Sequence, residues 1–270
     1  VIAVIGCNPV INSKEEVDRT TIALPTEQEE LVKRVAAVNP NTIVALISNY
    51  PYAIGELEKK VPAILLSASG SQELGHGIAD VLTGKAAAAG RLNMTWYRSD
   101  EDLPDMNDYD IIQGKRTYQY FDREVLYPFG YGLTYSQIRY SDAHADVTDF
   151  GILEPVTVHV TVENTGTYPV QEAVQVYVRF SEREAYDPGY QLKGIRSVAL
   201  ECGEKKEVCI TLSTRDFALI SEEGKCLVHP GSYEIAVGGQ QPDERSSRLT
   251  GQTVSTLFIC KTGNVTEVEY

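Results

Sequence analysis

The chain has 270 residues, 43% of them apolar and 23% charged, with a formal net charge of −14. This balance excludes a globally disordered chain, and the length is enough for two domains that each bury a core. The acidity argues against a nucleic-acid partner, because phosphate binding needs clustered Lys and Arg, which are scattered here. No apolar run approaches the roughly 20 residues of a membrane span. We therefore expect neither nucleic acid nor membrane as a partner, and a neutral substrate fits the charge.

Cysteine and histidine spacing indicates neither a disulfide framework nor a metal site. The cysteines are odd in number and contain no Cys-x-x-Cys pair. They are Cys7, Cys202, Cys209, Cys226 and Cys260. We expect free thiols in a reducing compartment, and hence a cytoplasmic protein. The histidines, which are His76, His144, His159 and His229, lie far apart in the sequence. We therefore expect no metal ligands and no cofactor.

The N-terminal stretch predicts a buried β-strand. Residues 1–5 form a continuous apolar run that ends in Gly6, which is typical of a strand buried on both faces of a parallel sheet. The following turn lacks a Gly-x-Gly-x-x-Gly pattern, and Pro9 blocks an immediate helix start, so a dinucleotide site is not expected. The run has no initiator Met, no basic segment before it and no small-residue cleavage site after it, so we do not expect a signal peptide. The pattern indicates a strand entered part-way through a larger protein.

A charged stretch at residues 12–19 is the part of the chain most compatible with acid–base chemistry. It holds Glu15, Glu16, Asp18 and Arg19 on a loop that leaves the first strand. Such a cluster can move the pKa of a carboxyl group in either direction. The alternative interpretation is a solvated loop that also caps a helix, and spacing alone favours it. The position after a buried strand favours function.

Strands and helices alternate through the first part of the chain. The predicted strands cover 42–48 and 63–67, and the predicted helices cover 26–38, 54–60 and 70–84. Thr26 is the predicted N-cap of the first helix, and Gly84 is the predicted C-cap of the third. Short connections between these elements indicate βαβ units and a parallel sheet. In such sheets the loops that leave the carboxyl ends of the strands carry the ligand site.

From about residue 142 the pattern changes to period two. The predicted strands cover 156–162, 174–180, 191–200, 207–212, 232–238 and 253–260, at the spacing of a β-sandwich. His159 lies in register with the polar residues Thr157 and Thr161, which favours solvent exposure over a ligand role. Residues 98–141 are rich in Tyr and Phe; these rings suit sugar stacking or packing between domains, and packing is favoured.

Seven short motifs occur in order along the first half. They are Glu15-x-x-Asp18-Arg19, Leu24-Pro25, Asn49-Tyr50-Pro51, Gly70-Ser71-Gln72-Glu73, Asp80-Val81-Leu82-Thr83-Gly84, Gly90-Arg91-Leu92 with Thr95-Trp96-Tyr97, and the run from Pro128 to Tyr135. Together they resemble the C-terminal half of a family 3 glycoside hydrolase, the group of β-glucosidases and β-xylosidases. Residues 95–97 and 114–121 resemble the β-xylosidase-like branch. Asn164-Thr165-Gly166 and the run from Pro230 to Glu234 resemble the fibronectin III-like domain that closes these enzymes.

The resemblance implies a three-layer α/β sandwich with a mostly parallel sheet, followed by a fibronectin III-like or immunoglobulin-like β-sandwich. The expected divisions are an α/β domain at 1–97, an aromatic-rich connection at 98–141, the β-sandwich at 142–262 and a flexible tail at 263–270. The implied activity is that of a retaining β-glycosidase acting on terminal β-linked glucosides or xylosides, as oligosaccharides or as aryl or alkyl glycosides.

The resemblance also implies the roles of particular residues. In the family, an aspartate on a (β/α)₈ barrel is the nucleophile and a glutamate on the α/β sandwich is the general acid/base. Aligning the Glu-x-x-Asp-Arg pattern puts that glutamate on Glu15, with Glu16 as the alternative. Retaining chemistry needs the two carboxyl groups about 5–5.5 Å apart, with one donating a proton and later activating water.

The chain departs from the family pattern in the absence of a barrel and of a nucleophile motif. The isolated fragment is therefore expected to be inactive, with the barrel domain of the same protein as its partner. A smaller departure is Asn93, which stands where the family has a proline. The alternative functions are a non-catalytic carbohydrate-binding or scaffolding module, and a small-molecule-binding α/β domain fused to an adhesion module. We expect His76 to be a surface or packed residue and Trp96 to be a core residue.

Overall fold

The computed structural model describes residues 1–7, 19–151 and 154–269. The chain divides into two compact units, each built from several segments. The first unit comprises Val1–Ala86, Met94–Tyr109 and Arg123–Tyr127, and the second comprises Ala87–Asn93, Asp110–Asp122 and Pro128–Tyr270. The aromatic-rich stretch 98–141 is therefore shared between the two units.

The described part of the first unit contains a parallel three-stranded sheet in the order β1-β2-β3. Its strands are β1 (Ile2–Gly6), β2 (Ile43–Ile47) and β3 (Ala63–Ser67), and its helices are α1 (Thr26–Val38), α2 (Gly55–Glu58) and α3 (Leu74–Leu82), with a 3₁₀ helix at Asp100–Asp102. Ile2 pairs with Ile43, and Ile43 pairs with Ala63, so neighbouring strands run side by side without offset. This alternation of helices with parallel strands confirms the predicted α/β class.

Strand β1 differs from its prediction in burial. Ala3 and Ile5 are buried, whereas Ile2 is 51% and Val4 is 60% exposed. The expectation that this strand is buried on both faces is therefore wrong for this chain. The physical reason is that the described residues cover only one face of this strand, so every second side chain stays exposed. The central strand β2 is buried through its middle residues.

The start of helix α1 also differs from its prediction. Pro25, not Thr26, is the N-cap, and Thr26 is the first helical residue. The Pro25 carbonyl accepts hydrogen bonds from the backbone N–H groups of Gln28 and Glu29, at 3.0 and 3.1 Å. Because proline has no N–H group and a nearly fixed φ, it can precede the first helical residue without losing a hydrogen bond. Helix α3 begins at Leu74, four residues later than the first predicted position.

The second unit is all β apart from short helices. Its strands are β4 (Ile138–Ala145), β5 (Asp149–Phe150), β6 (Val156–Asn164), β7 (Val170–Phe180), β8 (Gln191–Leu200), β9 (Lys205–Leu212), β10 (Leu219–Ile220), β11 (Cys226–Val228), β12 (Gly231–Gly238), β13 (Ser255–Lys261) and β14 (Thr266–Glu267). Its helices are α4 (Thr117–Tyr120), α5 (Glu244–Thr250) and a 3₁₀ helix at Thr214–Phe217. The sheets have the orders β5-β13-β12-β7-β8, β4-β6-β9 and β10-β11-β14.

The core of the second unit follows from period-two alternation. In β6, Val156, Val158, Val160 and Val162 are buried and the residues between them are partly exposed. Together with apolar side chains from β7 and β12 they form one hydrophobic cluster, which is the core of a β-sandwich. This arrangement confirms the predicted all-β class of the second half. Residues 266–267, in the stretch predicted as a tail, form β14 and pair with β11.

The interior strand β7 is covered on its second face as well. Gln175 and Tyr177 are buried there, and the Gln175 amide donates hydrogen bonds to the carbonyls of Gly130 and Gly239, both at 3.0 Å. Gly130 has φ +77°, and an added Cβ would lie 2.4 Å from the Gln175 oxygen. Glycine is therefore required for the backbone to approach this strand.

The aromatic side chains near Gly130 serve packing within the second unit. The Tyr118 ring stacks on Phe129, with centroids 4.2 Å apart, and meets the Tyr177 ring edge-on at 6.3 Å. The Tyr118 hydroxyl accepts a hydrogen bond from the backbone N–H of Leu192. Packing was the interpretation favoured from the sequence, but it was expected between domains, whereas these rings pack within the second unit.

A buried ion pair holds the segment Ala87–Asn93 in the second unit. Arg91 Nη2 lies 2.8 Å from Glu172 Oε2, and only 9% and 3% of the two side chains are exposed. The Tyr140 hydroxyl donates to the other Glu172 oxygen at 2.7 Å. Burial, followed by the neighbouring Glu172 carboxylate, raises the pKa of Tyr140 well above its ordinary value. The Gly90-Arg91-Leu92 motif therefore has a structural role that is visible in the packing.

None of the helices in the described ranges is long and apolar enough to cross a membrane. All five cysteines fall within these ranges, and all five are free thiols.

Candidate functional site

The carboxyl edge of the parallel sheet is the part of the first unit where a ligand site is expected. Three chain segments leave the sheet there, after Gly6, Ile47 and Ser67. At the first of them, the Cys7 N–H donates a hydrogen bond of 2.9 Å to the Ile47 carbonyl. At the second, the Ser48 N–H donates to the Ser67 carbonyl, also at 2.9 Å. The three strands therefore end at one level.

Gly6 fixes the direction in which the chain leaves the sheet. Its φ is +151°, and an added Cβ would lie 2.0 Å from the Ile47 carbonyl oxygen. The Gln28 side-chain amide forms two hydrogen bonds with Gly6, one to the N–H and one to the carbonyl, each of 2.8 Å. Helix α1, which carries Gln28, thereby anchors the end of β1. The chain then enters residues 8–18, which lie outside the described residues.

The chain re-enters the described region at Arg19, which packs against two tyrosines. The Arg19 guanidinium carbon lies 5.1 Å from the centroid of the Tyr50 ring and 4.8 Å from that of Tyr52. Both rings follow β2 on the same edge of the sheet. Cation–π contacts of this kind contribute about 0.5–2 kcal/mol each, with the larger values in desolvated sites. Arg19 therefore holds the end of the charged stretch next to the loop after β2.

Arg19 keeps hydrogen-bonding capacity that the described residues do not use. Its Nη1 atom is buried and makes no hydrogen bond with any described residue, and the same holds for the Tyr52 hydroxyl. Burial, with a further contribution from the nearby Cys7, raises the pKa of Tyr52, and the Arg19 charge opposes that shift. Tyr52 is therefore a neutral hydroxyl near pH 7. A polar ligand or an acidic side chain next to Arg19 and Tyr52 could accept hydrogen bonds from the charged guanidinium and from the neutral hydroxyl.

The chain after Arg19 is tied down by Asp100. Its carboxylate accepts hydrogen bonds from the Thr21 hydroxyl at 2.5 Å and from the Ile22 N–H at 2.7 Å. The Ala53 N–H donates to the Ile22 carbonyl at 2.8 Å, which closes an isolated parallel bridge between residues 23 and 53. Both ends of the stretch 8–18 are therefore fixed at the carboxyl edge of the sheet.

The neighbouring loops are also ordered by side chains at this edge. Asn49 Oδ1 accepts a hydrogen bond of 2.8 Å from the Ser69 N–H and so joins the loops after β2 and β3. The Ser48 hydroxyl donates to the Tyr50 carbonyl at 2.7 Å and turns the chain toward Tyr50. These loops carry the Asn49-Tyr50-Pro51 and Gly70-Ser71-Gln72-Glu73 motifs. The sequence indicated the loops, but it did not reveal the stacking of Arg19 on two tyrosines.

The residues singled out from the sequence are the candidate acid/base residues and two residues for which no site role was expected. Glu15, the predicted acid/base, and Glu16, its alternative, lie outside the described residues. His76 is on the surface, with Nδ1 2.7 Å from a Glu73 oxygen, as expected for a helix-surface histidine. Trp96 is buried and meets Tyr127 edge-on with ring centroids 6.3 Å apart, as expected for a core residue.

Comparison with protein families gives matches over both halves of the chain. Residues 1–135 match the model described as the glycosyl hydrolase family 3 C-terminal domain. Residues 172–241 match a fibronectin type III-like domain. The first match covers the whole carboxyl edge described above, including the charged stretch.

Individual relatives carry names of glycosidases. A β-glucosidase of Kluyveromyces marxianus is 35% identical over 244 residues, which cover 85% of this chain and 28% of the relative. A xylan 1,4-β-xylosidase of Xylanibacter ruminicola is 33% identical over 234 residues, covering 86% of this chain and 26% of the relative. The chain thus spans about a quarter of the length of these relatives.

Solved structures share the fold. The β-glucosidase from Kluyveromyces marxianus in complex with glucose superposes with a TM-score of 0.84 at 31% identity, covering 99% of this chain and 32% of that one. A β-glucosidase from Erythrobacter marinus superposes with a TM-score of 0.82 at 30% identity, covering 97% of this chain and 34% of that one. In both cases, two thirds of the solved chain lies outside the aligned region.

Proposed function

Because this chain belongs to family 3 of the glycoside hydrolases, we propose that it is the C-terminal part of a retaining β-glycosidase and supplies the general acid/base. The substrates are terminal β-linked glucosides or xylosides, as oligosaccharides or as aryl or alkyl glycosides. The proton donor is Glu15, and the nucleophile belongs to a barrel domain of the same full-length protein. The observation that carries the proposal is the anchoring of both ends of the stretch 8–18 at the carboxyl edge of the sheet.

Chain connectivity supports Glu15 as a residue of this edge. Glu15 lies four residues before Arg19, and a chain of that length spans at most about 14 Å. Arg19 itself is held against Tyr50 and Tyr52. A carboxyl group within this reach can serve an adjoining domain that brings a nucleophile and a sugar to the same edge. It would protonate the leaving oxygen in the first step and take a proton from water in the second.

The exposed side of β1 supports a partner domain. Ile2 and Val4 expose half or more of their surface on an edge strand, where backbone groups and apolar side chains are both accessible. An exposed edge that carries apolar side chains can pair and pack with another chain segment, so it suits contact with a further domain. The remaining part of the full-length protein is the partner that fits this chain. The free thiols of all five cysteines fit the reducing, cytoplasmic location that we propose.

The proposal is tested with the full-length protein that contains this chain. Purified protein is incubated with 4-nitrophenyl β-glucoside and β-xyloside, and the first sugar released is followed by NMR before it mutarotates. We expect hydrolysis of at least one substrate, with the β-anomer as first product, and no turnover by the 270-residue chain alone. A folded full-length protein that hydrolyses neither substrate contradicts the proposal and favours a non-catalytic carbohydrate-binding module.

A further inference from the structure

The outer face of the β4-β6-β9 sheet brings together side chains that are far apart in sequence. His144 pairs with His159 across β4 and β6, and His159 pairs with Cys209 across β6 and β9. The three residues thus lie on one rung of the sheet. Glu207 is two residues before Cys209 and therefore points to the same face. This face belongs to the second unit and has no part in the proposed acid–base chemistry.

The donor atoms of His159, Cys209 and Glu207 are separated by metal-site distances. His159 Nδ1 lies 3.3 Å from Cys209 Sγ and 3.6 Å from Glu207 Oε1, and the three donor atoms all lie within 4.8 Å of one another. Zinc bonds of about 2.0–2.3 Å in a tetrahedral site put neighbouring ligand atoms about 3.3–3.8 Å apart. The separation of 3.6 Å therefore lies within this range and that of 3.3 Å at its lower limit, so these two pairs need no rearrangement to bind zinc.

The local backbone is shaped to place His144 on the same rung. A β-bulge between Ser141 and His144 inserts one residue, and Asp142 within it has φ +54°. Bulges re-aim side chains, and a positive φ is uncommon for a residue other than glycine. The Asp142 carbonyl lies 2.9 Å from His144 Nδ1, and since a carbonyl only accepts, that nitrogen carries the proton. The bulge therefore fixes both the position and the tautomer of His144.

His144 stacks on the ring of His159 and cannot be a ligand of the same ion. The two imidazoles stack with centroids 4.8 Å apart and planes within 10° of parallel. Because a nitrogen lone pair lies in the plane of its ring, two stacked parallel rings cannot direct lone pairs at one ion. His144 is thus a positioning residue, which keeps His159 Nδ1 directed toward Cys209 and Glu207.

We propose that His159, Cys209 and Glu207 form a Zn²⁺ site on the fibronectin-like unit, with the fourth position taken by water. A thiolate together with an imidazole favours zinc over the hard cations Mg²⁺ and Ca²⁺, which select oxygen ligands. Binding releases the thiol proton of Cys209 to solvent, and the thiolate and the neutral imidazole then each donate an electron pair to the ion. No change of oxidation state is involved.

The test uses Co²⁺ as a spectroscopic substitute for Zn²⁺ in the tag-free 270-residue chain, kept reduced with a phosphine. We expect a thiolate-to-cobalt charge-transfer band in the near ultraviolet, which saturates at one equivalent and disappears when Zn²⁺ is added. Cys209→Ser abolishes the band and weakens Zn²⁺ binding by more than about 100-fold, and His144→Ala weakens it by about 10-fold. Cys202→Ser and Cys260→Ser, at exposed cysteines, leave the band unchanged.

A second measurement needs no variant. Zn²⁺ should protect Cys209 from alkylation, mapped by mass spectrometry, while Cys202 and Cys260 react as before. Absence of the charge-transfer band in the wild-type chain overturns the proposal. So does a band that survives Cys209→Ser, or Zn²⁺ protection that falls on another cysteine. The test does not involve glycosidase activity, so its failure leaves the proposed function unaffected.

Discussion

The buried pair between Arg91 and Glu172 gives a quantitative test of the packing of the second unit. Arg91→Met leaves the Glu172 carboxylate, which is 3% exposed, with the Tyr140 hydroxyl but without its cation. Removing one partner of a buried ion pair costs about 3–5 kcal/mol, because an uncompensated charge stays buried. That is a large part of the roughly 5–15 kcal/mol that stabilises a typical domain.

The matched control is a surface pair in the same unit. Arg139 Nη2 lies 2.6 Å from Glu163 Oε2, with 63% and 23% of the side chains exposed. Such a pair contributes about 0–1 kcal/mol, since solvent screens it. Arg139→Met should therefore lower the free energy of unfolding by less than about 1 kcal/mol.

The assay is urea denaturation of the 270-residue chain. Circular dichroism follows the β-rich second unit, whereas fluorescence of Trp96, the single tryptophan, reports on the first unit. Replacing both partners, as Arg91→Met with Glu172→Leu, should recover most of the loss, because neither charge remains buried. Equal losses for Arg91→Met and Arg139→Met, or a double variant no more stable than Arg91→Met, would refute the reasoning.

Three further predictions concern stability. Burial, and then a hydrogen bond to Glu234, raise the pKa of Tyr190 to about 12. The stability that Tyr190 contributes is complete below about pH 10, where the unfolded tyrosine titrates, and is lost as the pH rises toward 12. Urea midpoints should therefore fall over that pH range, and should fall less in Tyr190→Phe. Gly130→Ala should destabilise the second unit by about 1–3 kcal/mol, because φ is +77° there and the new Cβ would lie 2.4 Å from a buried amide oxygen; an unchanged urea midpoint would contradict this. Arg19→Met should lower the free energy of unfolding, measured by tryptophan fluorescence, by about 1–3 kcal/mol because two ring contacts are lost. The Arg34 side chain is 84% exposed, so Arg34→Met should leave this free energy unchanged.

Sequence patterns predicted those features of the fold that depend on local alternation. The valines of β6 are buried at every second position, and strands β3 and β8 have the predicted bounds. Burial of β1 was predicted less well, because an apolar run shows that a strand can be buried but not which faces are covered. Pro25 as N-cap was missed because Thr26 is the stronger capping residue by type.

Long-range pairings were beyond the reach of the sequence. Arg91 and Glu172 are 81 residues apart, and His159 and Cys209 are 50 apart. The rung that joins His144, His159 and Cys209 depends on strand register and on a one-residue bulge, neither of which leaves a spacing signal. The Arg19 position was within a recognised motif, but its contacts with two tyrosines depend on how the loops meet at the sheet edge.

The proposed role of Glu15 is tested most directly by leaving-group dependence in the full-length protein. For Glu15→Gln, kcat/KM toward phenyl β-glucoside should fall about 10²–10⁴-fold, whereas toward the 2,4-dinitrophenyl glycoside, whose leaving group needs no proton, it should fall less than about 10-fold. Added azide should raise kcat with the 2,4-dinitrophenyl glycoside, because azide can attack in place of water, which no longer has a general base to activate it. Glu16→Gln is the matched control and should show neither effect. Unchanged turnover in Glu15→Gln, an equal loss with both substrates, or this pattern in Glu16→Gln would contradict the assignment.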